Sequence, residues 1–255
     1  MANGICVYAE SYNGELETVA AELVSAAKGL AETTKEKVQA IVLSDHAEEL
    51  VKELDKLGVD EIYAVKADHD ITLQDDAVSA AIAEMLKKIE PSAVLVPATP
   101  QGRSIFSRVA MRLGCGMTAD CTEVLAAQRE DGSFYIKQNK PSYGENVFVT
   151  ILTKEGIYPQ MMTVRPGVYA ACEAKESGNA NVTFFDDIKI VDLPGIYAMD
   201  TYSNEEIVSK NFLLNEDVDI ILNIVDASNI DRNLYLTTQL KQFNKPIVLA
   251  VNMID

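Results

Sequence analysis

Two short motifs near the end of the chain carry groups that could bind a guanine nucleotide. They read DLPG at residues 192–195 and NMID at residues 252–255, and each follows an apolar stretch that we predict to be a strand. A carboxylate such as that of Asp255 can accept hydrogen bonds from both the ring N–H and the exocyclic amine of guanine, a pattern that adenine lacks. Either motif alone is a weak signal, but the two in this order strengthen each other. The candidate cofactor-binding residues are therefore Asp192, Gly195, Asn252 and Asp255.

The phosphate-binding loop that such a site requires is missing from the sequence. A Walker A loop places Gly-Lys before Ser or Thr, and none of the 13 glycines of this chain is followed by Lys. Without that lysine and its nest of backbone amides, most of the affinity for GTP or GDP would be absent. GTPase activity is therefore not expected, and the alternative that these residues are relics of a fold without bound nucleotide is favoured.

The first part of the chain alternates predicted strands and helices, which is typical of a parallel sheet built from right-handed β–α–β crossovers. The predicted strands cover residues 5–11, 38–43, 61–66 and 93–96, and the predicted helices cover 14–31, 48–57, 75–89 and 104–113. Pro97 and Pro100 are expected to stop the fourth strand before its helix. A crossing that contains Gly102-Arg103-Ser104 would then lie at the carboxyl edge of the sheet, where open α/β sheets usually bind ligands or partners.

The pattern changes after residue 113. Four short strand-like segments, at 122–127, 134–138, 146–152 and 160–164, are predicted to add to one edge of the sheet in an antiparallel manner. Residues 173–181 are small, polar and without periodicity, as in a linker. A second α/β pattern follows, with predicted strands at 187–192, 219–226 and 246–251 and helices at 204–214 and 233–243.

The predicted fold class is therefore α/β, with a mostly parallel sheet, antiparallel additions and a truncated second α/β segment. The predicted domains are residues 1–172 and 187–255, joined by a linker at 173–186.

Composition excludes several classes of function. The net charge is −17 and the 22 Lys and Arg residues are scattered, so nucleic acid is not an expected partner. No run reaches the ~18 to 20 apolar residues that span a bilayer, and the N-terminus lacks a secretory leader, so we expect a cytoplasmic protein. The four cysteines show no CxxC pattern, which favours reduced thiols over a metal site.

The C-terminal part resembles a known GTPase domain. The stretches VDLPGIYAMDTYSNEEIVSKNFLL and ILNIVDASNIDRNLYLTTQLKQFNKPIVLAVNMID closely resemble the cytosolic G domain of the ferrous-iron transport protein B family, over about residues 187–255. The resemblance implies a P-loop-GTPase-like fold in which Asp192 holds the magnesium shell and the Gly195 amide faces the γ-phosphate. It also implies that Asn252 and Asp255 recognise guanine. The P-loop, the first switch and the membrane permease have no counterpart in the sequence, so iron transport is not expected.

The larger N-terminal part resembles a different family. VYAES, VPATPQGRSIFSRVAMRLGCGMTADCTEV and MMTVRPGVY resemble the N-terminal domain of the electron transfer flavoprotein alpha subunit, over about residues 3–172. The resemblance implies a Rossmann-like, adenine-nucleotide-hydrolase-like fold, a heterodimer with a beta-type subunit, and electron transfer through FAD from acyl-CoA or other dehydrogenases. That family holds FAD chiefly in a separate C-terminal domain. No FAD-binding residue is therefore assigned here, and this chain alone is not expected to retain FAD.

Four arginines are further candidates for a binding role. Arg103, Arg108 and Arg112 lie on one predicted helix, where the last two share a face, and they could clamp a phosphate or a partner. The alternative, an exposed helix face that balances an acidic chain, is favoured. Arg165 is expected to anchor the domain edge to a flavin domain or a partner subunit. No nucleophile, base and orienting group stand out together, so no catalytic residue is assigned and an electron-carrier component is expected.

Three hypotheses follow for the whole chain. The first is a scaffold that binds a beta-type subunit in FAD-mediated electron transfer. The second is a guanine-nucleotide-binding module, and the third is a fusion or remnant without function as a unit.

Overall fold

The computed structural model describes residues 2–252 except 69, 72–73, 143–146, 177, 186–190, 192, 194–195, 197, 200–202 and 217. The side chains of 229, 231–233 and 252 also lie outside the description. The chain divides into two compact units, Met1–Ile190 and Val191–Asp255. We call them unit 1 and unit 2.

Unit 1 contains twelve strands and four helices in its described part. The strands are β1 (Ile5–Tyr8), β2 (Ser11–Tyr12), β3 (Glu15–Leu16), β4 (Val38–Ser44), β5 (Glu61–Lys66), β6 (Ala93–Pro97), β7 (Met117–Cys121), β8 (Glu123–Gln128), β9 (Phe134–Pro141), β10 (Phe148–Ile151), β11 (Gln160–Val164) and β12 (Asn181–Phe184). The helices are α1 (Val19–Thr34), α2 (Ala47–Lys56), α3 (Asp75–Ile89) and α4 (Pro100–Leu113).

A seven-stranded sheet in the order β12-β5-β4-β1-β6-β11-β7 forms the centre of unit 1, and each neighbouring pair is parallel. Helices α1 and α2 pack on one face of the sheet, and α3 and α4 pack on the other. Every residue of β1, β4, β6 and β11 is buried, as expected for strands that are covered on both faces. The α/β class and the mostly parallel sheet are thus confirmed.

The prediction that residues 160–164 join an antiparallel edge is wrong. This segment is β11, which lies parallel between β6 and β7 inside the central sheet. Its residues are buried on both faces, which is the pattern of an interior parallel strand. The antiparallel additions are β8, β9 and β10, which form a separate three-stranded sheet in the order β10-β9-β8.

Residues Gly102-Arg103-Ser104 belong to the first turns of α4 and do not form the predicted crossing. The helix begins at Pro100, whose missing N–H is harmless at the first helical position. Thr99 is the N-cap, and its side chain accepts a hydrogen bond from the backbone N–H of Gly102 at 2.9 Å. The proline therefore starts this helix as well as ending the strand before it.

The segment predicted as a linker contains a strand of the central sheet. Strand β12 pairs in parallel with β5, from Asn181 opposite Glu61 to Phe184 opposite Ala64. Before it, the carboxylate of Asp55 accepts hydrogen bonds from the backbone N–H groups of Gly178 and Ala180, at 3.1 and 2.8 Å. The polar composition of this segment therefore reflects its binding to the end of α2 and to an open sheet edge.

Helix α1 begins at Val19, because the residues before it form the β2–β3 hairpin. Asn13 and Gly14 form its turn with φ values of 52° and 79°. Two positive φ values are typical of the type I′ turn, and Asn-Gly is its preferred sequence. The hairpin carries the chain over the carboxyl end of β1.

Unit 2 contains a two-stranded parallel sheet, two α-helices and two short 3-10 helices in its described part. The longer elements are α5 (Asn204–Asn215), β13 (Ile221–Asp226), α6 (Ile230–Leu240) and β14 (Ile247–Asn252). Ser203 and Glu206 form a capping box at the start of α5. The predicted strand at 187–192 falls largely outside the described residues.

We predict opposite effects from alanine at two helical glycines of unit 1. A Cβ atom at Gly102 would overlap the carbonyl oxygen of Pro97 and approach Thr99 Oγ1 to 3.1 Å, whereas a Cβ at Gly29 in α1 would meet nothing within 4 Å. Gly102→Ala should destabilise unit 1 by about 1–3 kcal/mol through overpacking. Gly29→Ala should stabilise it by about 0.5–1 kcal/mol through helix propensity. Hydrogen exchange of β1 and β6 at increasing urea measures both effects, and equal shifts for the two variants would contradict the close approach.

Candidate functional site

The crevice between β1 and β6 contains a buried carboxylate that meets the start of a helix. The strand order reverses at this point, because β4 and β5 lie on one side of β1 and β6 lies on the other. Thr99 Oγ1 lies 3.0 and 2.8 Å from the two carboxylate oxygens of Glu10, which is only 5% exposed. Burial raises the pKa of Glu10, and the hydrogen bond from Thr99 opposes that effect. The carboxylate of Glu10 thus lies beside the N-terminal end of α4, where a helix favours negative charge.

A cavity of about 270 Å³ opens beside this crevice, at the carboxyl ends of β1 and β4. The β2–β3 hairpin forms one wall, and the Gly14 turn packs against the ring of His46, which precedes α2. Residues before α3 and the first turn of α4 form the other walls. Gln101 of α4 is among the lining residues. Loop residues at the carboxyl edge of the sheet therefore surround a space of ligand size.

A second cluster lies at the carboxyl ends of β7 and β11 and involves two of the predicted arginines. Asp120 has φ of 65°, and its backbone N–H donates to Thr163 Oγ1 at 2.8 Å where the β7–β11 register shifts. Arg165 donates to both carboxylate oxygens of Asp120, at 3.1 and 2.6 Å, and Arg103 lies 3.7 Å away. The hydrogen bond from Arg165 holds the pKa of Asp120 below its usual range, assisted by the charges of Arg165 and Arg103. We call Arg103, Asp120, Thr163 and Arg165 the Asp120 cluster.

Of the other two predicted arginines, Arg108 is engaged within unit 1. Arg108 Nε lies 2.8 Å from Asp76, and Arg108 Nη1 donates to Ser104 Oγ at 2.7 Å. The Nε of Arg112 is buried and has no hydrogen-bond partner among the described residues. Arg103, Arg108 and Arg165 thus balance acidic groups of their own chain. Their guanidinium groups are therefore less available to bind a phosphate.

The candidate guanine-binding residues cannot be placed as a site. Asp192, Gly195 and Asp255 lie outside the described residues, and Asn252 is the last residue of β14, with its side chain also outside. The register of β13 and β14 sets Asn252 opposite Asp226 at the carboxyl edge of unit 2. These four positions therefore remain predictions.

An exposed apolar strand is a feature that sequence reasoning missed. Strand β10 is an edge strand whose four residues are all exposed, with Phe148 68% exposed. Its flanking residues Val147 and Leu152 are 54% and 51% exposed. The run VFVTIL had predicted a strand but not its exposure, since an apolar run ordinarily indicates burial. A patch of this kind typically marks a protein–protein contact.

Comparison with known proteins decides the family of the larger unit. The Electron transfer flavoprotein domain model matches residues 5–189, which is well over half of the chain. The chain belongs to the electron transfer flavoprotein family. This match extends through β12, in agreement with the place of that strand in the central sheet of unit 1.

Two relatives illustrate the match. The chain is 34% identical to electron transfer flavoprotein subunit alpha of Thermoanaerobacterium thermosaccharolyticum over 182 residues, covering 71% of this chain and 54% of that protein. It is 30% identical to the same subunit of Megasphaera elsdenii over 246 residues, covering 88% of this chain and 72% of that protein. The chain spans about half the length of the first curated relatives it matches.

The C-terminal part matches a second family. The Ferrous iron transport protein B model matches residues 147–255 and overlaps the end of the flavoprotein match. Over 68 residues the chain is 50% identical to the Fe(2+) transporter FeoB of Helicobacter pylori, covering 27% of this chain and 11% of that protein. Both resemblances found in the sequence are thus confirmed.

The sequence segments that identify the electron transfer flavoprotein domain meet at the Asp120 cluster. Arg103 comes from the GRS segment, Asp120 from TADCTE, and Thr163 and Arg165 from TVRPG. Among the described residues, no group of His, Cys, Asp and Glu is placed to hold a metal ion. In the described part of the chain, no helix is long and apolar enough to cross a membrane.

We predict that Arg165 is the main cause of the lowered pKa of Asp120. Arg165→Gln should move this pKa toward the ordinary Asp value of about 3.9, and Arg103→Gln should have a smaller effect because Arg103 is farther away. A carbon NMR titration of the Asp120 carboxyl group measures both shifts.

The same pair predicts a sign for the dependence of stability on pH. The pKa of Asp120 is lower in the folded protein than in the unfolded chain, so the charged Asp120 stabilises the fold fully above the unfolded-state pKa. This stabilisation is lost as the pH falls through the folded-state pKa. For a pair this exposed, the contribution should be at most about 1 kcal/mol. An equal change of the Asp120 pKa in Arg165→Gln and Arg103→Gln would contradict the assignment of Arg165 as the main cause of the lowered pKa.

Proposed function

We propose that unit 1 is an alpha-type scaffold that binds a beta-type subunit in FAD-mediated electron transfer from dehydrogenases. The observation that carries this proposal is an exposed apolar edge strand, β10, on a domain of the electron transfer flavoprotein family. The names of the relatives, which are alpha subunits, agree with a protein that works in a complex.

The β10 strand offers two kinds of contact to a partner. Phe148 and Val149 present apolar surface, and burial of such surface contributes roughly 25 cal/mol per Å². The outer edge of β10 also has no strand partner among the described residues, so its backbone groups can pair with another chain. An isolated protein would gain nothing from exposing both features together.

The chemistry of the described residues favours a scaffold over a catalyst. The buried thiols of Cys6 and Cys121 are held in their neutral form, since burial raises the pKa of Cys121 to about 11 and that of Cys6 further. The carboxylates of Glu10, Asp120 and Asp76 are engaged with Thr99, Arg165 and Arg108, respectively. In this proposal the flavin is bound outside unit 1, and unit 1 holds its partner in position.

We predict that a charge on β10 weakens binding of the beta-type subunit. Phe148→Lys should raise the Kd at least about thirtyfold, as expected for a hot spot worth about 2 kcal/mol. Met111→Lys is the matched control, because Met111 is 82% exposed and belongs to α4, outside the three-stranded sheet that contains β10. Calorimetric titration of the purified beta-type subunit into each variant gives the two values. Similar losses for both variants would argue against docking through β10.

The purified chain alone should show no flavin absorbance. This follows if FAD is held by a part of the complex other than unit 1. A spectrum in the visible range, together with a flavin assay of the denatured protein, measures the content. Stoichiometric FAD in the chain without any partner would overturn the proposed scaffold role.

A second candidate function, binding of a guanine nucleotide by unit 2, rests on the match to the Ferrous iron transport protein B family. The placement of Asn252 opposite Asp226 at one strand edge is compatible with it. Calorimetry with GDP and Mg²⁺ tests it, with ADP as the control for base specificity. Because the sequence lacks a Gly-Lys phosphate loop, we expect no micromolar binding, and a micromolar Kd for GDP that Asp255→Ala abolishes would favour the second function.

A further inference from the structure

The chain contains two Asn-Gly pairs, and the structure holds them in different ways. They are Asn3-Gly4, just before β1, and Asn13-Gly14, the turn of the β2–β3 hairpin. Asparagine is among the thermally labile residues, and a following glycine leaves its own backbone nitrogen unshielded because it has no Cβ atom. Both pairs therefore have the composition of a deamidation site, and the fold decides which of them reacts.

Deamidation of an Asn-Gly pair is a reaction of the chain with water alone. The backbone nitrogen of the glycine loses its proton and attacks the side-chain carbonyl carbon of the asparagine. The bond from that carbon to the amide nitrogen breaks, and ammonia leaves. Water then opens the cyclic imide at either carbonyl group, which gives aspartate or isoaspartate. The peptide group between the two residues must turn for the attack, so hydrogen bonds that fix the backbone on either side slow the reaction.

The peptide group between Asn13 and Gly14 lies at the tip of the hairpin. The ladder of β2 and β3 ends with the pair Tyr12 and Glu15, and the central peptide group of a two-residue turn lies beyond that pair. Asn13 is exposed. The ladder has only two residue pairs, and a lone two-stranded hairpin is marginally stable. This peptide group can therefore turn at low cost.

The backbone around Asn3 and Gly4 is fixed on both sides. The backbone N–H of Asn3 donates to the carbonyl oxygen of Glu90 at 3.0 Å. The carbonyl oxygen of Gly4 accepts from the backbone N–H of Ser92 at 2.9 Å and from its hydroxyl group at 3.0 Å. Gly4 is buried, and the side-chain amide of Gln39 occupies the space where a Cβ atom of Gly4 would lie. Turning this peptide group would therefore disrupt bonds that the turn at Asn13 does not have to break.

The two products at position 13 affect the hairpin differently. Aspartate leaves the main chain unchanged and tolerates the left-handed conformation, which here has φ of 52°. Isoaspartate adds a methylene group to the main chain, and a two-residue turn with two positive φ values cannot absorb it. The ring of His46 lies so close to Gly14 that a Cβ atom there would come within 3.0 Å of it. A lengthened turn must disturb this contact.

We propose that Asn13 is a site of spontaneous deamidation and that its isoaspartate product opens the β2–β3 hairpin. The modification adds a negative charge and loosens the chain over the carboxyl end of β1. It is a slow, one-way change within unit 1, and it is independent of β10.

Ageing of the full chain in mildly alkaline buffer tests the site. Cleavage after glutamate places the two Asn-Gly pairs in different peptides, because Glu10 lies between them. Mass spectrometry of these peptides should show that Asn13 is deamidated at least about tenfold faster than Asn3, a ratio equivalent to about 1.4 kcal/mol and comparable to the loss of two hydrogen bonds at Gly4. In denaturant the two rates should become similar, since glycine follows both asparagines. Equal rates in the folded chain, or faster loss of Asn3, would overturn the proposal.

Freshly prepared Asn13→Asp separates the added charge from the lengthened main chain. This variant carries the charge on an ordinary backbone, so hydrogen exchange of residues 11–16 should match that of the fresh parent protein. Aged protein in which enzymatic methylation detects isoaspartate should exchange these amides at least about tenfold faster. Unchanged exchange in the isoaspartate-containing protein, or equally fast exchange in Asn13→Asp, would contradict the opening of the hairpin by isoaspartate.

Discussion

The hydroxyl group of Thr99 connects the two halves of the sheet edge on which unit 1 depends. It lies within hydrogen-bond distance of both carboxylate oxygens of Glu10, which follows β1, and it accepts the N–H of Gly102 in α4. The bond to α4 requires the helix to approach the last carbonyl group of β6 closely, and only glycine at 102 allows this approach. The order of strands reverses between β1 and β6. The contacts of Thr99 with Glu10 and Gly102 therefore set the width of the crevice between these two strands.

Local patterns predicted the elements well and their arrangement only in part. Helix α3 was predicted with its observed bounds because its apolar period and its acidic first turn agree. The place of β11 was not predictable locally, since strand order depends on pairing with β6, whose sequence is distant. Likewise, Asp55 fixes Gly178, and Arg165 pairs with Asp120, across separations that no short window contains. The same limit applied to the candidate site, since its arginines were identified from the sequence but their carboxylate partners were not.

The described part of unit 2 forms a small core around a pair of parallel strands. Five buried apolar residues form this cluster: Met199, Leu213, Ile221, Leu236 and Leu240. Parallel strands ordinarily need cover on both faces, yet Ile224 is 61% exposed, and Leu249, which pairs with Asn223 and so lies on the other face, is exposed too. The helices described here therefore do not complete the cover, and packing against further structure would stabilise this pair.

Charge is distributed unevenly along the carboxyl edge of the central sheet in unit 1. Near β7 and β11, the carboxylate of Asp120 is compensated by Arg165 and Arg103, so this region presents guanidinium groups to solvent. Near β1 and β4, the described residues that line the cavity include Asp45 and Asp70 but no arginine. The two regions are three strand spacings of roughly 4.8 Å apart, which exceeds the roughly 10 Å over which interactions between exposed groups fade at ordinary salt. The two regions thus place different residue types at one sheet edge, and strand order alone does not determine which ligand fits where.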